Sequence, residues 1–309
     1  MYKKTGFGEA ALFGAALIWG TGFVAQSLGS DTLSPFTYNG VRNVIGSVTL
    51  LIFLRLFNKK RGGTPGWRQY LPILKGGAVC GFLLFCAANL QQISISWVDE
   101  NGQKALVGKI GFLTSLYIVL VPVLGLLFGK KTRQMMWLGV MIALIGAYLL
   151  TDLSQGLSLG TADALALVCA LMYAFQIIAI DHYAPGVDPV RLAFVQFSIC
   201  VALSLVCGLL FEGPTLHDIY LTRWPLLYAG VLSSGVAYTL QVVGQKHCRP
   251  PLASLIMSLE SVVSAVSGYL VLHEQLSLKQ LAGCALMLGA VLLCELTPKG
   301  GKKANDTAA

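Results

Sequence analysis

Three ionisable side chains sit well inside long apolar runs of this 309-residue sequence: Arg42, Lys109 and Glu260. A charge at the centre of a bilayer costs about 2.5–3.5 kcal/mol on insertion scales, so such residues are candidates for function. Glu260 follows Pro251 by nine residues, which places it about 13–14 Å into a helix, near the midplane of a membrane. A carboxylate there suits a cation partner or a proton-coupling group; equally, it suits a structural partner for Arg42 or Lys109. Arg42 lies eight residues past Ser34, about 12 Å from that helix end. Its planar fork matches a carboxylate ligand, and also backbone carbonyls or Glu260. Lys109 is nearer a surface and either binds a ligand or snorkels to the headgroups, as does Lys75.

Amides and rings interrupt the apolar runs as well. Gln26, Asn89, Gln92, Gln176, Gln241 and Gln245 fall within them, with Trp19, Tyr117, Tyr173 and Tyr238. A ligand cavity needs a few such oriented groups among apolar walls, and amides also tie membrane helices together. Trp19 and Tyr173 lie mid-run, away from the interfacial level where membrane aromatics collect, which favours cavity lining and stacking on a ligand cation or ring. Tyr238, Gln241 and Gln245 share one helix face by spacing. The candidate substrate-binding set is therefore Trp19, Gln26, Arg42, Asn89, Gln92, Lys109, Tyr173, Gln176, Tyr238, Gln241 and Glu260.

The elements that must position these groups are membrane helices. Charged residues are only 12% of the chain, 55% are hydrophobic, and the mean hydropathy is +0.71. Ten runs are long enough to span a bilayer, at 8–28, 34–57, 70–97, 103–128, 134–151, 160–181, 189–211, 223–246, 251–272 and 277–296. Connections between them are short, and the tail 297–309 is polar and reads as a disordered cytoplasmic segment. Seven of the eight Cys lie inside apolar runs with no CxxC and no Cys/His spacing for zinc, so they read as small buried apolar residues. No metal site and no cofactor is implied.

Net charge is +8, but the basic residues occupy short loops without interleaved aromatics, which argues against nucleic acid. Sixteen Lys and Arg fall on one side of the implied spans and three on the other. The positive-inside rule then puts both termini in the cytoplasm and requires an even number of spans. An internal repeat runs through the chain in order: Glu9 meets Asp163, Trp19 meets Tyr173, Pro35 meets Pro189, Arg42 meets Gln196, Pro72 meets Pro225, Gly77 meets Gly230, Gln92 meets Gln245, and Gly139 meets Gly283. Five spans per unit is odd, so the second unit enters the membrane from the opposite side. Residues 8–151 and 160–296 are thus expected to form two inverted five-helix repeats, a recurring transporter plan.

Several motifs resemble the drug/metabolite transporter superfamily, specifically its EamA-type ten-helix permeases, over about residues 8 to 296. The first span reads Ala16-Leu17-Ile18-Trp19-Gly20-Thr21-Gly22-Phe23-Val24, the second carries Pro35 and then Arg42, and the fourth reads Leu120-Val121-Pro122-Val123. The ninth offers Ser258-Leu259-Glu260-Ser261-Val262-Val263, then Leu272-His273-Glu274, then Gly283. Ser261 stands where the family usually has Pro, and Lys130 stands where the repeat would put a counterpart of Glu274. The resemblance implies an all-α integral membrane protein of the bacterial inner membrane, a monomer or homodimer. It also implies a secondary transporter that exports or exchanges an amino acid or related small metabolite, with proton coupling open. The alternatives are an intramembrane enzyme acting on a lipid-linked substrate, and a channel. The four His lie at span ends or loops, Gly230-Val231-Leu232-Ser233-Ser234-Gly235 lacks nucleophile-elbow spacing, and no nucleotide fingerprint occurs, all of which disfavours an enzyme or an ATP-driven pump.

Overall fold

Proline and local caps set where the helices start. Pro35, Pro189 and Pro250 each occupy a first helical position, where the missing N–H costs nothing. Asp188 accepts from the backbone N–H groups of Val190 and Arg191 at 2.9 and 3.0 Å and so fixes the start of its helix. A computed structural model describes residues 6–57, 67–98, 107–130, 132–150, 160–271 and 276–296. The Leu272-His273-Glu274 motif, the link 99–106 and the tail 297–309 lie outside the described residues, as does the side chain of Lys109.

The described residues are helical almost throughout. In order they form α1 (Gly6–Ser30), α2 (Pro35–Phe57), α3 (Trp67–Ser96), α4 (Val107–Ser115), α5 (Tyr117–Leu127), α6 (Gln134–Leu150), α7 (Thr161–Tyr183) and α8 (Pro189–Phe211). After these come the short α9 (Leu216–Leu221), α10 (Arg223–Tyr228), a π-helical stretch Ala229–Ala237, α11 (Tyr238–Gln245), α12 (Pro250–Met257), α13 (Glu260–Val271) and α14 (Leu278–Leu296). Seven helical stretches among the described residues are long and apolar enough to cross a membrane, and Gln134–Leu150 and Leu278–Cys294 are shorter apolar helices. At 23 residues α2 is long enough as well, but Asn39, Arg42 and Asn43 lower its hydropathy and it is not among the seven.

The burial pattern is that of a protein dissolved in lipid. Phe211 and Leu209 are more than two-thirds exposed, whereas Arg42, at 2% exposure, ranks with the largest fully buried side chains. In hydrocarbon there is no water to satisfy polar groups, so they turn inward to one another. Asn39 donates to Ala88 O and Asn89 Oδ1, both at 3.0 Å, and Asn89 donates to Ser204 Oγ at 3.1 Å, which ties α2, α3 and α8 together. Interhelical bonds of this kind contribute about 0.6 kcal/mol each. Small residues allow close approach elsewhere: Gly77 and Gly81 of α3 seat Val195 and Ile199 of α8, and Gly146 of α6 lies against Gly283 of α14.

The main packing pairs are α3 with α7 and α8, α2 with α8 and the π-helical stretch, α1 with α11 and α13, and α6 with α14. Two runs are interrupted at mid-depth. Between α4 and α5, Leu116 N bonds to Leu113 O and Leu120 N to Leu116 O. Between α12 and α13, Leu259 N bonds to Ile256 O and Val263 N to Leu259 O, the same pattern position for position. A three-residue hydrogen bond tightens the helix at each break and re-aims the helix beyond it.

Candidate functional site

Each break delivers one side chain to the centre of the bundle. Tyr117 opens α5 and Glu260 opens α13, and the Tyr117 hydroxyl donates to Glu260 Oε1 at 3.0 Å. Among the described residues Glu260 is partnered by a tyrosine and not by Arg42, one of the two partners considered from the sequence; the side chain of the other, Lys109, lies outside the described residues. The Glu260 carboxylate lines a cavity of about 500 Å3, open volume at the mouth included.

Arg42 lines the same cavity from α2. Its guanidinium lies 5.8 Å from the Tyr38 ring, and its Nε and Nη1 make no hydrogen bond. Tyr38 is itself held by its hydroxyl, which donates to Ala25 O at 3.2 Å. A buried guanidinium with unmet donors facing a cavity is primed for an acceptor, because leaving such donors unpaired is costly. Gln26 adds an unpartnered Oε1 on the α1 wall.

Rings form the rest of the wall. Trp19 meets Tyr238 edge-on at 4.7 Å between centroids, and Tyr117 meets Tyr173 at 6.4 Å. The hydroxyls of Tyr173 and Tyr238 approach within 3.4 Å. The widened turns of Ala229–Ala237 present Ser233 O to Trp19 Nε1 at 3.3 Å, and Ser234 Oγ donates to Asn43 Oδ1 at 2.8 Å. A π-helical stretch inside a longer helix frequently marks a functional region. Below the tyrosines, Gln176 and Gln241 bond reciprocally, with Gln241 Nε2 to Gln176 Oε1 at 3.1 Å, and Gln176 also reaches Gln196.

Of the candidates named from sequence, Trp19, Gln26 and Arg42 from one half of the chain, with Tyr173, Tyr238, Gln241 and Glu260 from the other, surround this one cavity. Gln176 is not on the wall but holds Gln241 in place. Asn89 belongs to the α2–α3–α8 tie, and Gln92 is buried with neither amide atom bonded, away from the cavity wall. Lys109 opens α4, but its side chain lies outside the described residues. Sequence reasoning missed Gln91, Tyr117 and Ser233 as wall residues. Tyr117 was named among the rings inside the apolar runs but not chosen for the site; the matched break that sets it opposite Glu260 is visible only in the structure.

The match to known proteins runs through this architecture along the whole chain. The model of the EamA-like transporter family matches residues 6–152 and again 160–295. The chain belongs to the EamA-like transporter family. A protein of Archaeoglobus fulgidus named "Uncharacterized transporter" is 30% identical over 299 residues, which is 94% of this chain and 86% of that one. The "Uncharacterized inner membrane transporter YedA" of Escherichia coli K12 is 25% identical over 93% of this chain and 90% of its own length. A solved crystal structure, 19% identical, matches with a TM-score of 0.74 over 95% of this chain and 98% of that chain, which shows the shared fold. This EamA-like chain is accordingly a multi-pass cell-membrane protein whose relatives are named as transporters, which points away from an enzyme.

Proposed function

We propose that this EamA-like protein is a secondary transporter that exports a small zwitterion, an amino acid or a close relative, by alternating access. One observation carries the reading: a buried cation with unmet donors, Arg42, and a buried acid, Glu260, line one cavity without pairing to each other. In a low-dielectric site a substrate of two opposite charges compensates both groups at once, whereas a neutral or singly charged one leaves a buried charge alone. The substrate carboxylate goes to Arg42, and its ammonium to Glu260 and the faces of the surrounding rings.

Ten spans in two inverted halves, 8–151 and 160–296 with both termini cytoplasmic, would rock about this site. The ordered repeat, the matched breaks before Tyr117 and Glu260, and the one-sided loop charge support that arrangement. Glu260 exchanges a proton for the substrate ammonium, which couples export to the proton gradient. Purified protein in vesicles tests this. Saturable exchange of zwitterions is expected, with weak exchange of matched simple amines and simple acids, and Glu260→Gln should flatten the dependence of rate on pH. Equal transport of all three classes, or an unchanged pH profile in that variant, would overturn the reading.

A further inference from the structure

The two ends of the cavity are built differently. At the end that carries Lys130, Lys246 and Arg249, a dense apolar plug joins Leu12 of α1, Val121 of α5, Ile177 of α7, Cys248, and Ala253 and Met257 of α12. At the opposite end the comparable cluster holds Phe23 of α1, Ile95 of α3, Ile110 and Leu113 of α4, and Ala166 of α7, but, among the described residues, none of α13. So the plug at the basic end joins α5 to α12 directly across the interface between the halves, whereas at the other end the equivalent contact of α4 with α13 is sparser and runs through Phe112 of α4, which packs against both this cluster and the neighbouring group that holds Val262 of α13. The reciprocal Gln176–Gln241 amide pair lies on the basic side of the cavity, while Phe23 and Gln26 extend the wall the other way.

At the same end an ion pair ties the C-terminal end of α5 to α7. Helix α5 ends on Gly129 at a φ of +73°, with Lys130 N bonding back to Gly125 O at 2.8 Å, a termination that needs a left-handed residue and turns the chain sharply. The turn delivers the Lys130 ammonium to the Asp181 carboxylate near the end of α7. Asp181 is almost fully buried, and Lys130 is partly open to solvent. Asp181 lies eight residues beyond the cavity residue Tyr173, about 12 Å along α7. Lys246 adds a second strap, donating to Val187 O at 2.8 Å in the turn after α7.

We infer that the Lys130–Asp181 ion pair is the latch of a gate at the basic, cytoplasmic end of the cavity, and that it holds this end shut while the other end admits solvent. The inference rests on the transport reading above, and it assigns to these two residues a conformational role apart from substrate contact. Opening the gate requires α5 to part from α7, which separates the two charges. The pair therefore biases the resting population toward the state closed at the cytoplasmic end. Substrate in the cavity must supply differential affinity to shift it.

The Cys248 thiol reports the gate without any engineered probe, because it is 4% exposed within the plug. Protein in lipid nanodiscs is treated with a water-soluble maleimide, and labelling of each native Cys is read by peptide mass spectrometry. Lys130→Gln and Asp181→Asn should each raise the Cys248 labelling rate about fivefold, as expected for loss of one ion pair whose acid is buried and whose ammonium is partly exposed. Lys130→Arg, which keeps the charge, should stay near the wild-type rate. Cys200, buried between α2 and α8 away from the plug, serves as the folding control and should remain unlabelled. Unchanged Cys248 labelling in both charge-removing variants overturns the latch, as does a parallel rise at Cys200 or equal rates for Lys130→Gln and Lys130→Arg. The readout contains no substrate, so such a result leaves the transport reading standing, and that reading fails only in the vesicle exchange assay.

Discussion

The two halves of the chain share a scaffold but not a chemistry. Trp19 and Tyr173 occupy matched positions and both line the cavity. Tyr117 and Glu260 come directly after matched breaks and meet in a hydrogen bond. Yet Arg42 of the first half faces a counterpart, Gln196, that is neutral, and Glu260 of the second half faces a tyrosine. The cation comes from one half and the acid from the other, at positions that are not equivalent. A symmetric bundle with symmetric charges would hold two like charges around one cavity. Diverged halves allow one site to hold both signs, and the proposed rocking of one half against the other would move the two signs relative to each other.

The largest expected effect comes from removing the acid. Glu260→Gln keeps shape and hydrogen bonding, and affinity for a zwitterion should fall about a hundredfold, the cost of leaving a bound ammonium without its counter-charge. Arg42→Gln makes that position chemically alike in the two halves. It should weaken carboxylate-bearing substrates by about thirtyfold and leave simple amines unaffected. Tyr117→Phe removes only the hydroxyl that Glu260 accepts, so its effect should share the sign of Glu260→Gln at about tenfold or less. Binding titration on protein that keeps its size-exclusion profile checks all three. An effect of Tyr117→Phe larger than that of Glu260→Gln would mean that the tyrosine, not the acid, touches the ligand.

The smallest effect on the site comes from scaffold glycines. A Cβ at Gly283 would lie within 2.5 Å of Gly146 O and 2.6 Å of Leu150 N, both backbone atoms that cannot yield without moving α6. Gly283→Ala should therefore cost about 1–3 kcal/mol in stability through overpacking, with substrate selectivity unchanged. Gly289→Ala on the same helix meets nothing within 4 Å and should match wild type. Thermal unfolding of the two variants side by side is the measurement, and equal melting points would show that α6 and α14 are not packed as described.

Much of this arrangement was legible in the sequence, for identifiable reasons. Apolar run length located the helices, because lipid demands it. A polar residue inside such a run announced itself by cost, which is why Arg42 and Glu260 stood out. What the sequence left open is which face of a helix each polar residue uses. Asn89 and Gln241 look alike as intramembrane amides, yet one ties helices and the other lines the cavity. Capping shows the same contrast. The start of α8 is capped by Asp188 next to it, a local signal, whereas the start of α2 is capped by Glu212, which accepts from Phe36 N at 2.9 Å and Thr37 N at 2.7 Å across a separation of about 175 residues. Tyr117 was named but left out of the candidate set because its importance lies in its partner, and the Lys130–Asp181 pair was not foreseen because Asp181 sits at the end of an apolar run, where a charge attracts less notice.

If one cavity reads both charges of its substrate through different halves of the chain, each charge can be deleted independently of the other. The most direct test is a cycle of two variants against three ligands, measured as equilibrium binding to purified protein. The ligands are a zwitterion, its analogue without the carboxylate, and its analogue without the amine. Arg42→Gln should weaken the zwitterion and the acid but not the amine, and Glu260→Gln should weaken the zwitterion and the amine but not the acid. Wild-type affinity for all three ligands in both variants would contradict this reading.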